Sequence, residues 1–440
     1  MKRYDSYKDS GVEWIGKVPS DWQVYRLKKC LQERKEKNDP IKTDFILSLT
    51  NTKGVIPYSE KGDLGNKAKG DPSGYNLAYP GDIVLNSMNV VIGSVGLSNY
   101  FGAVSPVYYM LYPRSEKDDV RYYNYIFQMS EFQYALKGLG NGILEIRMRI
   151  PMNKLNNVLI PLPSSEEQQM ISNYLDKKTS QIDSLIDKNE KSIELLEEYR
   201  KSIISEAVTK GLDPNAPMKD SGVEWIGEIP EGWVTRRLKN FLDNVPHSIV
   251  DGPFGSDLKS DEYTDTGVPV TQLNNIKEGF HRVDSFKFVS ESKAAQLSSH
   301  FVFPGDLLMA KMMPAGRTCI ASSAYPKYLL SSDSIRIVID SSVDRRFVCY
   351  AANCYCLAEC ELKSSGVTRI RINLSIVRNL SFVLPSLQEQ KKIADYLDQK
   401  TAEIDSLIDK KKQLIEKLTQ YRKSLISECV TGKIKVPGVE

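Results

Sequence analysis

The sequence is poor in histidine, with three residues in 440, His247, His281 and His300. An acid–base centre built on imidazole therefore has little to draw on. No run of about 18 apolar residues occurs, so nothing reads as a membrane span. The opening MKRYDSYKDS lacks the apolar stretch of a secretory signal. No GxxxxGK[ST] loop is present, which leaves ATP binding unsupported. GLGNG at 138–142 follows a helical stretch, lacks the GxGxxG spacing and reads as a turn. Seven cysteines, an odd number without an export signal, read as reduced thiols in the cytoplasm. Cys349, Cys354, Cys356 and Cys360 lack the CxxC pairs of zinc sites. On a helix Cys349, Cys356 and Cys360 share one face, which reads as buried apolar surface rather than a metal site. Lys and Arg number 59 against 56 Asp and Glu, a net charge of +3. A polyanion must then be held by local patches, not by a global field.

What the chain does have is repetition. DSGVEWIG begins at Asp9 and again at Asp220. Residues 9–28 match 220–239 at 13 of 20 positions, and residues 172–209 match 394–431 at 24 of 38. Between these blocks little persists: YPGDIVL at 79–85 against FPGDLLM at 303–309, and RMRI at 147–150 against RIRI at 369–372. The order is head, variable middle, tail, stated twice. A domain division follows: 1–163, a first globular domain; 164–210, a helix; 211–385, a second globular domain; 386–440, a second helix and a C-terminal tail.

Each tail opens with a proline and a capping box, Pro163-Ser164-x-x-Glu167 and Pro385-Ser386-x-x-Glu389. Apolar residues then recur at 3–4 spacing: Ile182, Leu185, Leu196, Tyr199 and Ile203, and Ile404, Leu407, Leu414, Leu418, Tyr421 and Leu425. That period predicts a coiled-coil seam, with Asn189 and Lys411 as polar seam positions. Gly211 with Pro214, and Gly432 with Pro437, stop the helices. Each helix should run about 60 Å at 1.5 Å per residue, and connectivity makes the pair antiparallel, with pseudo-two-fold symmetry. The middles carry short β-like runs at 82–85 and 334–339 and helical stretches at 120–137 and 344–363. Each reads as an α+β domain.

No constellation assembles into an active site, so no catalytic residue and no metal ligand is expected. DPSGY at 71–75 is only faintly like an amino-methyltransferase DPPY signature and lacks a glycine-rich cofactor loop. Nucleic acid binding has better candidates. The first middle offers Lys61, Lys67 and Lys69 in a polar loop, with Asn86, Arg147 and Arg149. The second offers Ser256 and Lys259 in DGPFGSDLKS, Lys311 and Arg317 about a glycine, and Arg369 with Arg371. Loop-borne cations and amides suit phosphate and base-edge contacts. The four tryptophans, Trp14, Trp22, Trp225 and Trp233, lie in matched frames and read as anchors of each domain to its core or to the helices.

GVEWIG-x-x-P-x-x-W-x-x-x-x-L, PGD-[IL]-[VL]-[LM], and LP-S-x-x-EQ leading into YLD-x-KT-x-x-IDSLI and YR-x-S-[IL]-I-S-E-x-VT together resemble the specificity subunit of Type I restriction–modification systems. The resemblance implies two target recognition domains, each reading one half of an asymmetric bipartite DNA sequence. The two helices would form an antiparallel coiled-coil spacer. It implies a non-catalytic chain that partners double-stranded DNA, two methyltransferase subunits and restriction motor-nuclease subunits. No cofactor is then expected in this chain. S-adenosylmethionine would belong to the methyltransferase, and ATP and Mg to the motor-nuclease. The alternative is a stand-alone adenine methyltransferase or nuclease with tandem domains.

Overall fold

Each long helix starts where a serine follows a proline. The Glu167 amide donates to Ser164 Oγ at 3.2 Å and the Glu389 amide to Ser386 Oγ at 3.3 Å. The computed structural model describes residues 2–51, 53–62, 71–140, 149–364 and 371–439. The first long helix spans Ser165–Lys210, 46 residues, and the second Leu387–Val430, 44 residues. The second half of each capping box is diverted. Trp22 Nε1–H donates to Glu167 at 2.9 Å, the Tyr4 hydroxyl donates to its other oxygen, and Trp233 Nε1–H donates to Glu389 at 3.2 Å. Burial lifts the Glu167 carboxyl above its ordinary range, against the pull of both donors.

The chain forms two compact units. The first comprises Met1–Glu190 with Lys412–Glu440, and the second Lys191–Lys411. The division falls inside both helices. Each unit therefore contains the first half of one helix and the last half of the other.

In the first unit, the repeated head folds as a hairpin, Tyr7–Asp9 against Lys17–Pro19. Gln23–Arg26 then pairs antiparallel with Leu159–Leu162, the strand that leads into the first long helix. A four-stranded antiparallel sheet follows in the order Leu31–Arg34, Tyr108–Pro113, Ile83–Asn86, Val95–Leu97. Helices Val120–Gln128 and Ser130–Lys137 cover it, burying Tyr122, Phe127 and Phe132. The second unit repeats this frame with Met218–Asp220 against Glu228–Pro230 and Val234–Arg237 against Ser381–Leu384. Its four-stranded sheet has the order Ile249–Asp251, Ser334–Ile337, Leu307–Ala310, Thr318–Ile320. Helix Arg345–Ala351 continues through a π turn at Ala352–Cys356 into Leu357–Lys363. Cys349, Cys356 and Cys360 lie on its buried face, and burial pushes the Cys349 and Cys360 thiols up to about 12.

Between these shared parts the units differ. The first has two-stranded pairs, Leu47–Thr50 with Gly54–Pro57 and Asn76–Ala78 with Gly102–Val104. The second has a five-stranded sheet in which Val268–Thr271 runs parallel to Tyr328–Leu330. Even the retained PGD aspartate is served differently. Asp82 takes Arg34 from the edge strand in two bonds of 2.8 and 3.0 Å, and that guanidinium also lies over Tyr79 and Tyr112. Asp306 takes Arg336 at 3.0 Å from the neighbouring strand of its sheet.

The long helices pair antiparallel within each unit. In the first, Arg422 meets Asp183 at 2.8 Å and the Tyr122 hydroxyl donates to Val430 O at 3.0 Å, where the second helix ends. In the second, Arg200 meets Asp405 at 3.1 Å, and Ile203 packs with Ile404 and Ile408. The buried stripe differs from the expected seam. It runs through Ile182, Ile186, Leu418 and Leu425 in one unit and Ile193, Leu196, Ile203, Ile404 and Ile408 in the other. Leu185, Tyr199, Leu407, Leu414 and Tyr421 instead stand exposed. A straight helix turns its apolar stripe by about 20° per heptad away from a 3.5 repeat. The helix ends must also face the globular domains, burying Ile171, Leu175, Ala207 and Val208 there.

All four tryptophans are structural. Trp14 stacks edge-on against Phe132 with ring centres 5.0 Å apart, and Trp225 packs on the second core beneath Lys363. The glycine ending each helix sits against the head's aromatic anchor. A Cβ on Gly432 would lie 2.4 Å from Pro19, and one on Gly211 would lie 3.3 Å from Trp233. Both have positive φ, +71° and +76°. Gly432→Ala should therefore destabilise by more than the roughly 1–2 kcal/mol of left-handed strain. Gly211→Ala should lose close to that strain alone. Paired denaturation curves check the order, and equal losses would contradict the close approach to Pro19.

A buried imidazole makes the second unit acid-sensitive. His281 Nδ1 accepts the Ser322 amide at 3.2 Å, its Nε2 lies 3.3 Å from Thr271 Oγ1, and burial pushes its pKa down to about 4. The unfolded chain, near 6.5, binds the proton first. Stability is thus full above pH 6.5 and falls by up to about 3 kcal/mol as pH drops toward 4. Melting curves between pH 7.5 and 4 should show this slope, and His281→Gln should flatten it.

Candidate nucleic-acid interface

The RMRI and RIRI fragments end at the same place in both units. The Ile150 amide donates to Ser87 O at 2.9 Å, and the Ile372 amide donates to Lys311 O at 3.0 Å. Ser87 and Lys311 are equivalent residues, each one past the end of the PGD strand. A main-chain bond thus fixes where Arg149 and Arg371 stand, whatever the side chain beneath. Both arginines are exposed.

In the second unit a cavity of about 350 Å³ adjoins several of the candidates without being lined by them. Its walls are Pro253, Gly255, Leu258, Tyr263, Gln272, Leu273, Asn274, Ser331, Ser332 and Asp333. Ser256 and Lys259 lie in the loop that supplies Gly255 and Leu258, and both are exposed. Arg371 pairs with Asp333 at 2.9 Å and donates to Ser332 O at 3.3 Å. Lys311 is buried and pairs with Asp251 at 2.7 Å, while its amide donates to Asp333 O. Arg317 donates to Leu273 O at 2.7 Å, bracing the wall from behind, and burial lowers its pKa. The cavity thus presents carboxamides, hydroxyls and a carboxylate beside an exposed guanidinium. These are the groups that read base edges by hydrogen-bond pattern.

In the first unit Asn86 and Arg149 come together at the end of the PGD strand. Asn86 Oδ1 accepts the Met88 amide at 3.0 Å, and Tyr109 donates to Ile150 O at 3.3 Å. Lys61 closes the short turn Tyr58–Glu60, its ammonium 5.4 Å from the Tyr58 ring centre. Lys67, Lys69, Arg147 and Arg369, and part of GLGNG, lie outside the described residues. DPSGY forms a local turn, in which Asp71 accepts the Ser73 amide and hydroxyl, both at 2.9 Å.

Sequence reasoning missed Gln272, Asn274, Asp333 and the fully projecting Phe254, which is 82% exposed. The amide-rich TQLNN at the end of a buried strand was the available signal, as was the aromatic between glycine and proline in DGPFGS.

Among the described residues no cluster of three or more potential metal ligands occurs, and no helix is long and apolar enough to cross a membrane. Two readers in matched frames, with a long helix pair shared between them, are the marks of a DNA specificity protein. Residues 19–195 and 230–417 match the family described as Type I restriction modification DNA specificity domain, and the chain belongs to that family. It is similar to the Type I restriction enzyme MjaVIII specificity subunit of Methanocaldococcus jannaschii, 26% identical over 438 residues, covering 96% of this chain and 95% of that one. It is also similar to the Type I restriction enzyme EcoBI specificity subunit of Escherichia coli, 22% identical over 299 residues, covering 64% of this chain and 59% of that one. Its fold matches a solved chain from a study of complex assembly and conformational transition of the type I R-M system, with TM-score 0.70, 16% identity and coverage of 95% and 99%. The HsdS subunit from Thermoanaerobacter tengcongensis matches with TM-score 0.53, 16% identity and coverage of 95% and 98%. The protein is a DNA target-recognition subunit.

Exposed Arg371, held but not buried by Asp333, should tune sequence choice more than stability. Arg371→Ala and Arg149→Ala are each expected to weaken cognate duplex binding by about 1–3 kcal/mol while leaving melting temperatures unchanged. Anisotropy titrations alongside thermal melts check both.

Proposed function

We propose that each unit reads one half of an asymmetric, interrupted DNA target, and that the helix pair fixes the spacing between the halves. The observation that carries this is the contrast within the chain. The heads, helices and the Ser87/Lys311 main-chain bond are duplicated, whereas the surfaces around them differ in strand number and in side chains. A frame kept twice around two unlike surfaces fits a non-palindromic target.

The chain itself is non-catalytic and cytoplasmic and carries no cofactor. Two methyltransferase subunits dock on it and bring S-adenosylmethionine. Restriction motor-nuclease subunits add ATP- and Mg-dependent activity. Support for two copies of one partner comes from the outward faces of the long helices. Leu185 and Tyr421 are exposed in one unit, and their repeat equivalents Leu407 and Tyr199 in the other. A duplicated apolar patch offers the same surface twice.

Exchanging residues 30–160 for the corresponding segment of a relative should change one half of the methylated sequence and leave the other half intact. Sequencing methylated sites in cells carrying the complete system reads this directly, and a change in both halves would refute the two-reader assignment. Methyl incorporation from labelled S-adenosylmethionine by the purified chain alone would instead support the tandem-enzyme alternative.

A further inference from the structure

A second basic feature is duplicated and is absorbed by neither reading surface. The head strand of each unit ends at the arginine of an Arg-Leu-Lys sequence whose lysine lies in the short helical turn that follows: Arg26, Lys28 and Lys29 in the first unit, Arg237 and Lys239 in the second, with Arg236 beside them. All six side chains are exposed. Among the described residues none of them has a carboxylate within ion-pair distance. A neutral amide steadies the arginine instead. Arg26 donates to Asn157 Oδ1 at 3.5 Å, and Arg237 and Lys239 donate to Asn379 Oδ1 at 3.4 and 3.1 Å. An amide orients a cation without neutralising it, so the full charge faces solvent. In the second unit these residues line an open groove of about 720 Å³ with Thr235, Asn240 and Ser381.

The position is as telling as the charge. Asn379 caps the end of the short helix Leu374–Arg378, and Asn157 lies one residue beyond the cap of the equivalent helix Met152–Leu155. Those helices begin just after Arg149 and Arg371. Helices of four and five residues are about 6 and 7.5 Å long, comparable to two phosphate steps of ~3.4 Å each along one strand. In each unit the basic edge therefore lies one short helix from the candidate base-reading arginine.

We propose that this duplicated basic edge binds the phosphodiester backbone of duplex DNA flanking each half-site, without regard to sequence. The inference rests on the DNA-recognition reading and deepens it. The edge is repeated where the strands and loops around the candidate reading arginines are not, as expected of a contact made with the part of DNA that is the same everywhere. Each cation placed on a phosphate releases condensed counterions, so binding should carry a measurable salt dependence.

The test uses the full chain assembled with its methyltransferase subunits, in two variants, R26Q/K28Q/K29Q and R236Q/R237Q/K239Q. Affinity for a cognate duplex and a scrambled duplex is measured by anisotropy from 50 to 200 mM salt. The expected result is an equal fold-loss on both duplexes, with a log–log salt slope shallower by ~0.9 per phosphate contact removed and an unchanged set of methylated sites. Unaltered affinity and slope would overturn the proposal. So would intact DNA binding by variants that no longer co-purify with methyltransferase subunits, which would make the edge a protein-docking surface. If the wild-type complex failed to prefer cognate over scrambled DNA, the recognition reading would fail instead, and the salt slope would still report on the basic edge.

Discussion

One hydrogen bond, made twice, holds the architecture in place: a tryptophan N–H in the head donated to the glutamate in the first turn of a long helix. A bond to a charged acceptor is worth about 1.5–3 kcal/mol, but its larger effect is geometric. It joins the start of a recognition domain to the start of the helix that leaves it. The glycine that stops the other helix packs against the same tryptophan. Both helix termini are therefore referred to one indole, and the sheet and its loops are built outward from that point.

That arrangement explains how two units can share a frame and differ in content. The head hairpin, the strand pair that includes Gln23–Arg26 or Val234–Arg237, and the covering helices all contact the anchored region. The segments that differ are two small two-stranded pairs in the first unit and a five-stranded mixed sheet in the second. Asp82 and Asp306 illustrate the boundary. The aspartate is retained, its buried charge still needs an arginine, and each unit supplies that arginine from a different strand.

How much of this was legible in the sequence follows from which signals are local. The tryptophan words, the Pro-Ser caps and the helical faces carrying Cys349, Cys356 and Cys360 are local, and all could be read directly. The helix seam was read only in part, because a 3.5 period fitted to sequence ignores the globular domains that claim the helix ends. Leu185, Leu407 and Tyr421 were placed inside on that basis and stand outside. Ser256, Lys259, Lys311 and Arg371 were legible as candidates by residue type. Gln272, Asn274 and Asp333 were not, because the parallel pairing of Val268–Thr271 with Tyr328–Leu330 joins loops some sixty positions apart. Nothing in either loop's own sequence announces the other.

The bond that seats Arg149 and Arg371 is made wholly by peptide groups. The residue accepting it is serine in one unit and lysine in the other, with the same geometry. Substitution can alter every side chain around that point without removing the support beneath it. The side chains built on that point are thus free to change while the chain keeps folding.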